Sequence, residues 1–195
     1  MAEWVLASRN AGKAREVDAM LAAYGIHVVP AFVGAGVVVP ETGSSYLENA
    51  IAKARFVVEQ RSQPALADDS GIEVDALSGA PGLYSARYVG DDPWNNVEAV
   101  LVQLLEVPWP ARTARMRAVV VLATPGGRLY SAEGVIEGHI GMVPRGTNGF
   151  GYDPIFVGPD GRTLAEWSTD EKNAVSHRAQ ALRQLVAEWR AGEGA

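Results

Sequence analysis

The sequence predicts an α/β fold with a mixed sheet, from three features. In the first half, short β-branched runs alternate with segments whose apolar residues recur at helical spacing. Longer β-rich stretches around a Pro-Gly-Gly turn follow, and one more amphipathic helix closes the chain. Taken in order, Trp4–Ser8 reads as a buried strand and Asn10-Ala11-Gly12 as a turn. A helix then carries Val17, Met20, Leu21 and Tyr24 on one face and stops at Gly25. Ile26–Phe32 is a second strand, and Ser45-Tyr46-Leu47-Glu48 fits a capping box opening a helix that runs to Arg61. Ala65–Asp69 and Ile72–Val74 read as two short strands bent around Ser70-Gly71, and Pro81-Gly82 as a loop. Val97, Val100, Leu101, Leu104 and Leu105 form the stripe of a helix ended by Pro108 and Pro110.

Arg117–Thr124 and Arg128–Ile140 are β-rich and flank Pro125-Gly126-Gly127, a hairpin signal. Gly146–Pro154 is a glycine-rich loop. Ser168-Thr169-Asp170-Glu171 fits a second capping box, opening a final helix with Val175, Ala179, Leu182, Leu185, Val186 and Trp189 as its apolar stripe. No repeat or long linker breaks the chain, so residues 1–195 read as a single two-lobed domain, the lobes sharing one sheet.

Composition removes whole classes of function. With 48% hydrophobic and 21% charged residues in 195, a sizeable core forms and disorder is excluded. The absence of cysteine excludes disulfides, thiolate metal sites and cysteine nucleophiles, and fits a reducing, cytoplasmic setting. No apolar run is long enough for a membrane span, and Met1–Glu3 leads into a strand rather than a signal peptide. A net charge of −6 argues against coating a nucleic acid, whereas one phosphorylated small molecule needs only a few local cations.

Such cations sit in Ser8-Arg9-Asn10-Ala11-Gly12-Lys13, where a strand hands over to a helix. Backbone N–H groups, the helix N-terminus and an ammonium there suit a phosphate. Ala7 and Ala14 occupy positions where a Walker A loop needs Gly and Ser or Thr, so that P-loop is excluded. Glu41 and Asp68-Asp69-Ser70-Gly71 supply carboxylates of the kind magnesium takes beside substrate phosphates. Consecutive strand residues face opposite ways, so of Asp68 and Asp69 one serves an ion or a proton and the other braces the loop. Either order is open at this point. Glu48 already has work in its capping box.

Of 17 basic residues 14 are arginine, leaving Lys13, Lys53 and Lys172. A compact, rotatable point charge follows a phosphate oxygen where a planar fork does not fit, so each lysine invites a functional reason. Lys53 lies one helical turn after Asn49 on the same face. Phe150-Gly151-Tyr152-Asp153, after Gly146-Thr147-Asn148-Gly149, offers two aromatics for stacking on a planar base. His177-Arg178 adds donors outside the apolar stripe of the last helix, a position expected to face solvent.

In order along the chain stand Ser8-x-Asn10-x-x-Lys13, Glu41-Thr42-Gly43, Glu48-Asn49-Ala50-x-x-Lys53-Ala54, Ala67-Asp68-Asp69-Ser70-Gly71 and Gly82-Leu83-Tyr84-Ser85-Ala86-Arg87-Tyr88. Phe150-Gly151-Tyr152-Asp153-Pro154, Glu171-Lys172-Asn173 and Ser176-His177-Arg178 complete the set. From Trp4 to Trp189 the chain thus resembles the inosine triphosphate pyrophosphatase family, with Asn148 as the visible departure. The resemblance implies hydrolysis of ITP, dITP and XTP to the monophosphate and pyrophosphate with Mg²⁺. It also implies an elongated two-lobed α/β fold with a long central mixed sheet, flanking helices, an active site in the cleft between lobes, and a homodimer. By the same resemblance, Ser8, Arg9, Asn10, Ala11, Gly12 and Lys13 hold phosphates, and Glu41 and Asp69 serve magnesium, with Asp69 also the proton acceptor. Lys53 and Ser70 line the triphosphate site, and Phe150, Gly151, Tyr152, Asp153, Lys172, His177 and Arg178 embrace the base and its neighbouring groups. A nucleotide-binding sensor without turnover is the alternative. It needs the glycine turn and the aromatics but not the paired carboxylates. A two-carboxylate glycosidase leaves the three lysines unexplained.

Overall fold

The computed structural model describes residues 2–31 and 41–193. It is a mixed α/β structure built on one six-stranded sheet of order β2-β1-β3-β4-β5-β6. The strands are β1 (Ala2–Leu6), β2 (Ile26–Pro30), β3 (Ala65–Val74), β4 (Thr113–Ala123), β5 (Leu129–Ile140) and β6 (Phe156–Val157). β1 runs parallel to both β2 and β3, while β5 and β6 are antiparallel. The helices are α1 (Ala11–Ala22), α2 (Tyr46–Arg61), α3 (Pro93–Gln103), α4 (Thr169–Val175) and α5 (His177–Glu193).

The chain forms two compact units. The first comprises Met1–Asp69, Ala118–Gly134 and Arg178–Ala195, the second Ser70–Arg117 and Val135–His177. Each has its own core. In the first, Trp4, Leu6 and Leu66 from the strands pack with Val17 and Leu21 of α1 and with Leu182, Leu185 and Val186 of α5. In the second, Ile72, Val74, Val97, Val100, Leu104, Ile140, Ile155 and Phe156 cluster with Tyr152 and Trp167. Val97 and Val100 of α3 are buried as their spacing predicts, but the helix expected to run to Pro108 ends at Gln103, and Leu105, expected on its apolar stripe, lies beyond it and is 69% exposed.

Helix ends follow their capping residues. Asn10 caps α1, its Oδ1 accepting from the N–H groups of Gly12 and Lys13 at 2.8 and 3.1 Å. The left-handed turn after α1 falls at Gly25, with φ of 72°. Ser45 caps α2 by accepting from the N–H of Glu48. The return arm differs from a full box: Glu48 Oε2 accepts from the N–H of Ser44 at 2.7 Å. At α4 the box is complete, Ser168 and Glu171 bonding reciprocally.

Two further expectations are corrected. Ser70-Gly71 is no bend between two strands, because β3 runs through it unbroken. Beyond Gly71, the N–H of Ile72 donates to Ser85 Oγ and that of Val74 to the carbonyl of Ala80, so non-local partners keep the backbone extended. The closing helix is broken. Ser176, with ψ of 159°, separates α4 from α5, and Val175 is 46% exposed rather than part of the stripe. Of the strand expected over Ile26–Phe32, Phe32 lies outside the described residues.

Candidate active site

In the first unit, topology already marks a place. From β1 the chain passes through α1 to β2 on one side, then through α2 to β3 on the other. The strand order therefore reverses between β1 and β3. Ligands of open α/β sheets bind beyond the carboxyl ends of strands at such a switch point. Ser8–Lys13 follows β1 there, and Asp68 and Asp69 lie on β3.

The two aspartates divide the work as strand alternation demands. Asp68, fully buried at its side chain, accepts from Arg178 Nε at 2.8 Å and pairs with the ammonium of Lys13. The same guanidinium reaches Glu16 of α1 through Nη1. Burial works against the Asp68 anion, but the charges of Arg178 and Lys13 outweigh it and hold the carboxyl well below the carboxylate range. Burial is the largest influence on Lys13, and with the neighbouring Arg178 and Lys53 it holds the ammonium below the usual 10.5 despite Asp68.

Asp69 belongs to a second group. Lys53 Nζ donates to Asp69 Oδ1 at 2.6 Å, to Glu41 Oε1 at 3.0 Å and to the backbone oxygen of Asp68 at 3.1 Å. The other oxygen of Asp69, Oδ2, accepts from Asn49 Nδ2 at 3.2 Å. Burial lifts the Asp69 carboxyl above its ordinary value, with Lys53 only partly opposing, which suits a proton acceptor. Burial also works against the Lys53 ammonium, but Asp69 and Glu41 overcome it and raise its pKa.

Among the described residues no cluster of three or more His, Cys, Asp or Glu side chains could hold a metal. Glu41 and Asp69 nevertheless converge on a single ammonium, so two carboxylates already accept a cation between them. A pair of carboxylates completed by substrate phosphate is a common magnesium donor set, and these residues fit it.

The turn before α1 differs from its expectation in one respect. The N–H groups of Gly12 and Lys13, read from sequence as open phosphate donors, are held by Asn10. The positive end of α1 and the ammonium of Lys13 remain as the attraction for an anion.

The second unit holds another constellation. Asp153, 2% exposed, accepts from Lys172 Nζ at 2.5 Å and from the N–H of Phe150 at 2.7 Å. Lys172 Nζ in turn lies 5.0 Å from the centre of the Phe150 ring. Gly149 is required here: its φ is 74°, and a Cβ would stand 2.0 Å from Asp153 Oδ2. The aromatics separate in role. Phe150 is half-buried beside Lys172, whereas Tyr152 joins the core and its hydroxyl donates to the Ser85 carbonyl at 2.9 Å. Asn148 anchors the loop by donating to the Trp167 carbonyl at 2.8 Å. Ser70 is half-buried on β3, Arg9 is exposed, and Gly151 adopts a φ of 57°.

The expected solvent-facing position of His177 and Arg178 is corrected, since they are 5% and 2% exposed. Arg178 is drawn in by Asp68, 110 positions away in sequence, a partner no local pattern reveals. Sequence reasoning also passed over Glu16, Asn49 as a ligand of Asp69, and Ser85, which ties β3 to the Gly82–Arg87 turn. The first signal for Asn49 was present: it shares a helical face with Lys53.

The sequence pattern of the Ham1 family matches residues 4–188. A dITP/XTP pyrophosphatase of Nitratidesulfovibrio vulgaris is 50% identical over 196 residues, covering 95% of this chain and 94% of that protein. One from Bacillus subtilis is 43% identical over 189 residues, covering 95% and 96%. Among solved structures, a HAM1 protein from Coxiella burnetii superposes with a TM-score of 0.85 at 42% identity, over 98% of this chain and 100% of that one.

Proposed function

We propose, because the chain belongs to the Ham1 family, that it hydrolyses non-standard purine nucleoside triphosphates such as ITP, dITP and XTP to the monophosphate and pyrophosphate. The observation that carries this reading in the site itself is Lys53 between Asp69 and Glu41, beside Lys13 on Asp68. A sensor needs cations and an aromatic. A buried carboxylate with a raised pKa, flanked by a second carboxylate, serves proton transfer.

The chemistry then distributes over the residues described. Lys13 and Lys53 offset the roughly four negative charges of a triphosphate, with Ser8, Arg9, Asn10 and Ser70 as further phosphate contacts. Water attacks the α-phosphorus, Asp69 takes its proton, and pyrophosphate departs with its charge matched by the lysines. Glu41 and Asp69 hold magnesium, which supplies positive charge to the phosphate oxygens when bound. Phe150 stacks on the purine, while Asp153 positions Lys172 beside it, Gly151 and His177 complete the base and sugar contacts, and Tyr152 supports the loop from the core through Ser85. No side chain becomes a covalent nucleophile.

The protein works in the cytoplasm as a homodimer, with a small-molecule substrate and neither nucleic acid nor membrane as partner. Its net charge of −6 and its lack of cysteine support the cytoplasmic part of that reading, and no described helix is long and apolar enough to cross a membrane. The test is pyrophosphate release from ITP and XTP against ATP and GTP, with Asp69→Asn beside wild type. Rapid release from the first pair, reduced about 10²-fold or more in a folded Asp69→Asn protein, supports the assignment. Tight binding of ITP with no product identifies the sensor instead.

A further inference from the structure

Asp69 and Glu41 come from different parts of the chain, and one side chain spans the gap between those parts. Asn49, 2% exposed on α2, donates from Nδ2 to Asp69 Oδ2 at 3.2 Å. Its Oδ1 accepts from the N–H of Gly43 at 2.8 Å, two residues after Glu41. We infer that Asn49 is a positioning residue that fixes the Glu41 segment and Asp69 as one pair, and that its amide is chosen because it donates to one and accepts from the other.

The chemistry of the two contacts admits few substitutes. Asp69 offers only acceptor oxygens when ionised, and the Gly43 N–H only a donor, so the bridging group must present a donor and an acceptor about one amide apart. A carboxylate at this position would face Asp69 charge to charge. An aliphatic side chain would leave a buried N–H and a carboxylate oxygen without these bonds.

The local packing is built around the bridge. A Cβ on Gly43 would stand 2.8 Å from Asn49 Oδ1 and 2.8 Å from Glu48 Cβ, so only glycine lets the backbone approach this closely. Glu48 adds to the clamp by accepting from the N–H of Ser44 at 2.7 Å. Lys53, one turn further along α2, takes Asp69 Oδ1 and Glu41. The two oxygens of Asp69 are therefore held from one helix face, by an ammonium and by an amide. Lys53 can exchange its partners for a phosphate. Asn49 has no charge to give up and keeps the carboxylate plane in place.

This inference rests on the proposed pyrophosphatase reading, and its test separates the two. Asn49→Ala and Asn49→Leu remove both contacts, and Asn49→Gln returns the amide one methylene further out. Steady-state hydrolysis of ITP is measured with unfolding by circular dichroism, and Mn²⁺ binding to the nucleotide-free protein is followed by electron paramagnetic resonance. Loss of an outer partner of a metal-binding carboxylate commonly costs about 10–100-fold in affinity or activity. The expected result for Ala and Leu is a fall of that order in kcat and about tenfold weaker Mn²⁺ binding. KM for ITP should move by less than about threefold, because the binding contacts remain. Asn49→Gln should fall between Ala and wild type in both assays. Unchanged kcat and Mn²⁺ affinity in the folded variants, whether or not the melting temperature drops, overturn the inference, as does a Gln variant no better than Ala. Failure of the wild type to hydrolyse ITP, XTP or dITP overturns the enzymatic reading alone. The Mn²⁺ titration then still decides whether Asn49 sets the carboxylate pair.

Discussion

Arg178→Met should cost the protein far more stability than an ordinary surface change, and the structure sets the size of the effect. The guanidinium is 2% exposed and is shared by Asp68, itself 2% exposed, and Glu16, 8% exposed. Removing one member of a buried ion group costs about 3–5 kcal/mol, because charge is left in low dielectric without its counterpart. Asp68 retains the ammonium of Lys13, which places the expected loss near the lower end, about 3 kcal/mol. For a chain of this length about 1 kcal/mol moves Tm by roughly 2–4 °C, so the fall should be about 6–12 °C. Arg178→Lys reaches one carboxylate and should recover part of it. Thermal unfolding by circular dichroism at neutral pH measures both. A Glu16→Gln change should then cost less in the Arg178→Met background than in wild type, as contacting residues couple. A Tm within about 3 °C of wild type would refute the reasoning, since it would mean that the buried group contributes no more than an exposed pair does.

Lys13→Arg keeps the charge but should lower kcat/KM by about 10²-fold, because a misplacement of about 1 Å in a tight turn is enough; steady-state kinetics on ITP beside a surface control, Arg162→Lys, decides it. Burial holds Lys13 below 10.5, so the ammonium loses its proton early and kcat/KM should fall on the alkaline side below that pH; a profile flat to pH 10.5 contradicts this. The pKa of Asp68 is depressed by folding, so its ion pairs stabilise fully above the ordinary 3.8 and progressively less as pH falls below it. Urea unfolding of wild type and Asp68→Asn should therefore show a stability gap that is constant above about pH 5 and narrows towards pH 2; a constant gap throughout removes Asp68 as its source. Phe150→Ala should raise KM for ITP and ATP by similar factors, since stacking is worth about 1–3 kcal/mol to any base; a loss confined to ITP would make Phe150 a selector instead.

Local chemistry was legible in the sequence and long-range partnership was not. Ser45, Ser168 and Gly25 mark helix ends because a cap bonds within its own few residues, whereas Asn10, read as part of a turn, proves to be the cap of α1. The alternation of Asp68 and Asp69 was legible for the same reason: neighbours on a strand point apart whatever surrounds them. The continuity of β3 was hidden, since Asp-Asp-Ser-Gly carries every local mark of a turn. What keeps it extended is Ser85, thirteen positions on. Burial of Arg178 was hidden more deeply. Its partners lie 110 and 162 positions away, and only a folded chain gives a polar helix start somewhere to go. Phe150 and Tyr152, two positions apart in the same aromatic motif, separated for a similar reason: the Ser85 carbonyl claims the Tyr152 hydroxyl and the core claims its ring.

The unequal use of the two basic side chains then acquires a physical meaning. Arg178 and Arg112 are buried and each ties several groups at fixed angles. Arg112 donates to the carbonyls of Leu104, Val107 and Gly141. A planar fork with a permanent charge suits a framework that is not meant to move. All three lysines of the chain are instead paired with carboxylates: Lys13 with Asp68 and Lys53 with Asp69 and Glu41 in the first unit, and Lys172 with Asp153 in the second. In a chain of net charge −6 these pairs keep cations where a polyanion must arrive. An ammonium has three donors on a flexible stem, so it can turn towards an incoming phosphate while keeping part of its hold on the carboxylate. A guanidinium locked in two parallel bonds cannot share itself in that way. The division of labour is therefore between arginines that hold the framework of each unit together and lysines that are able to change partners, and the Lys13→Arg exchange tests that distinction at the position where charge alone would predict no effect.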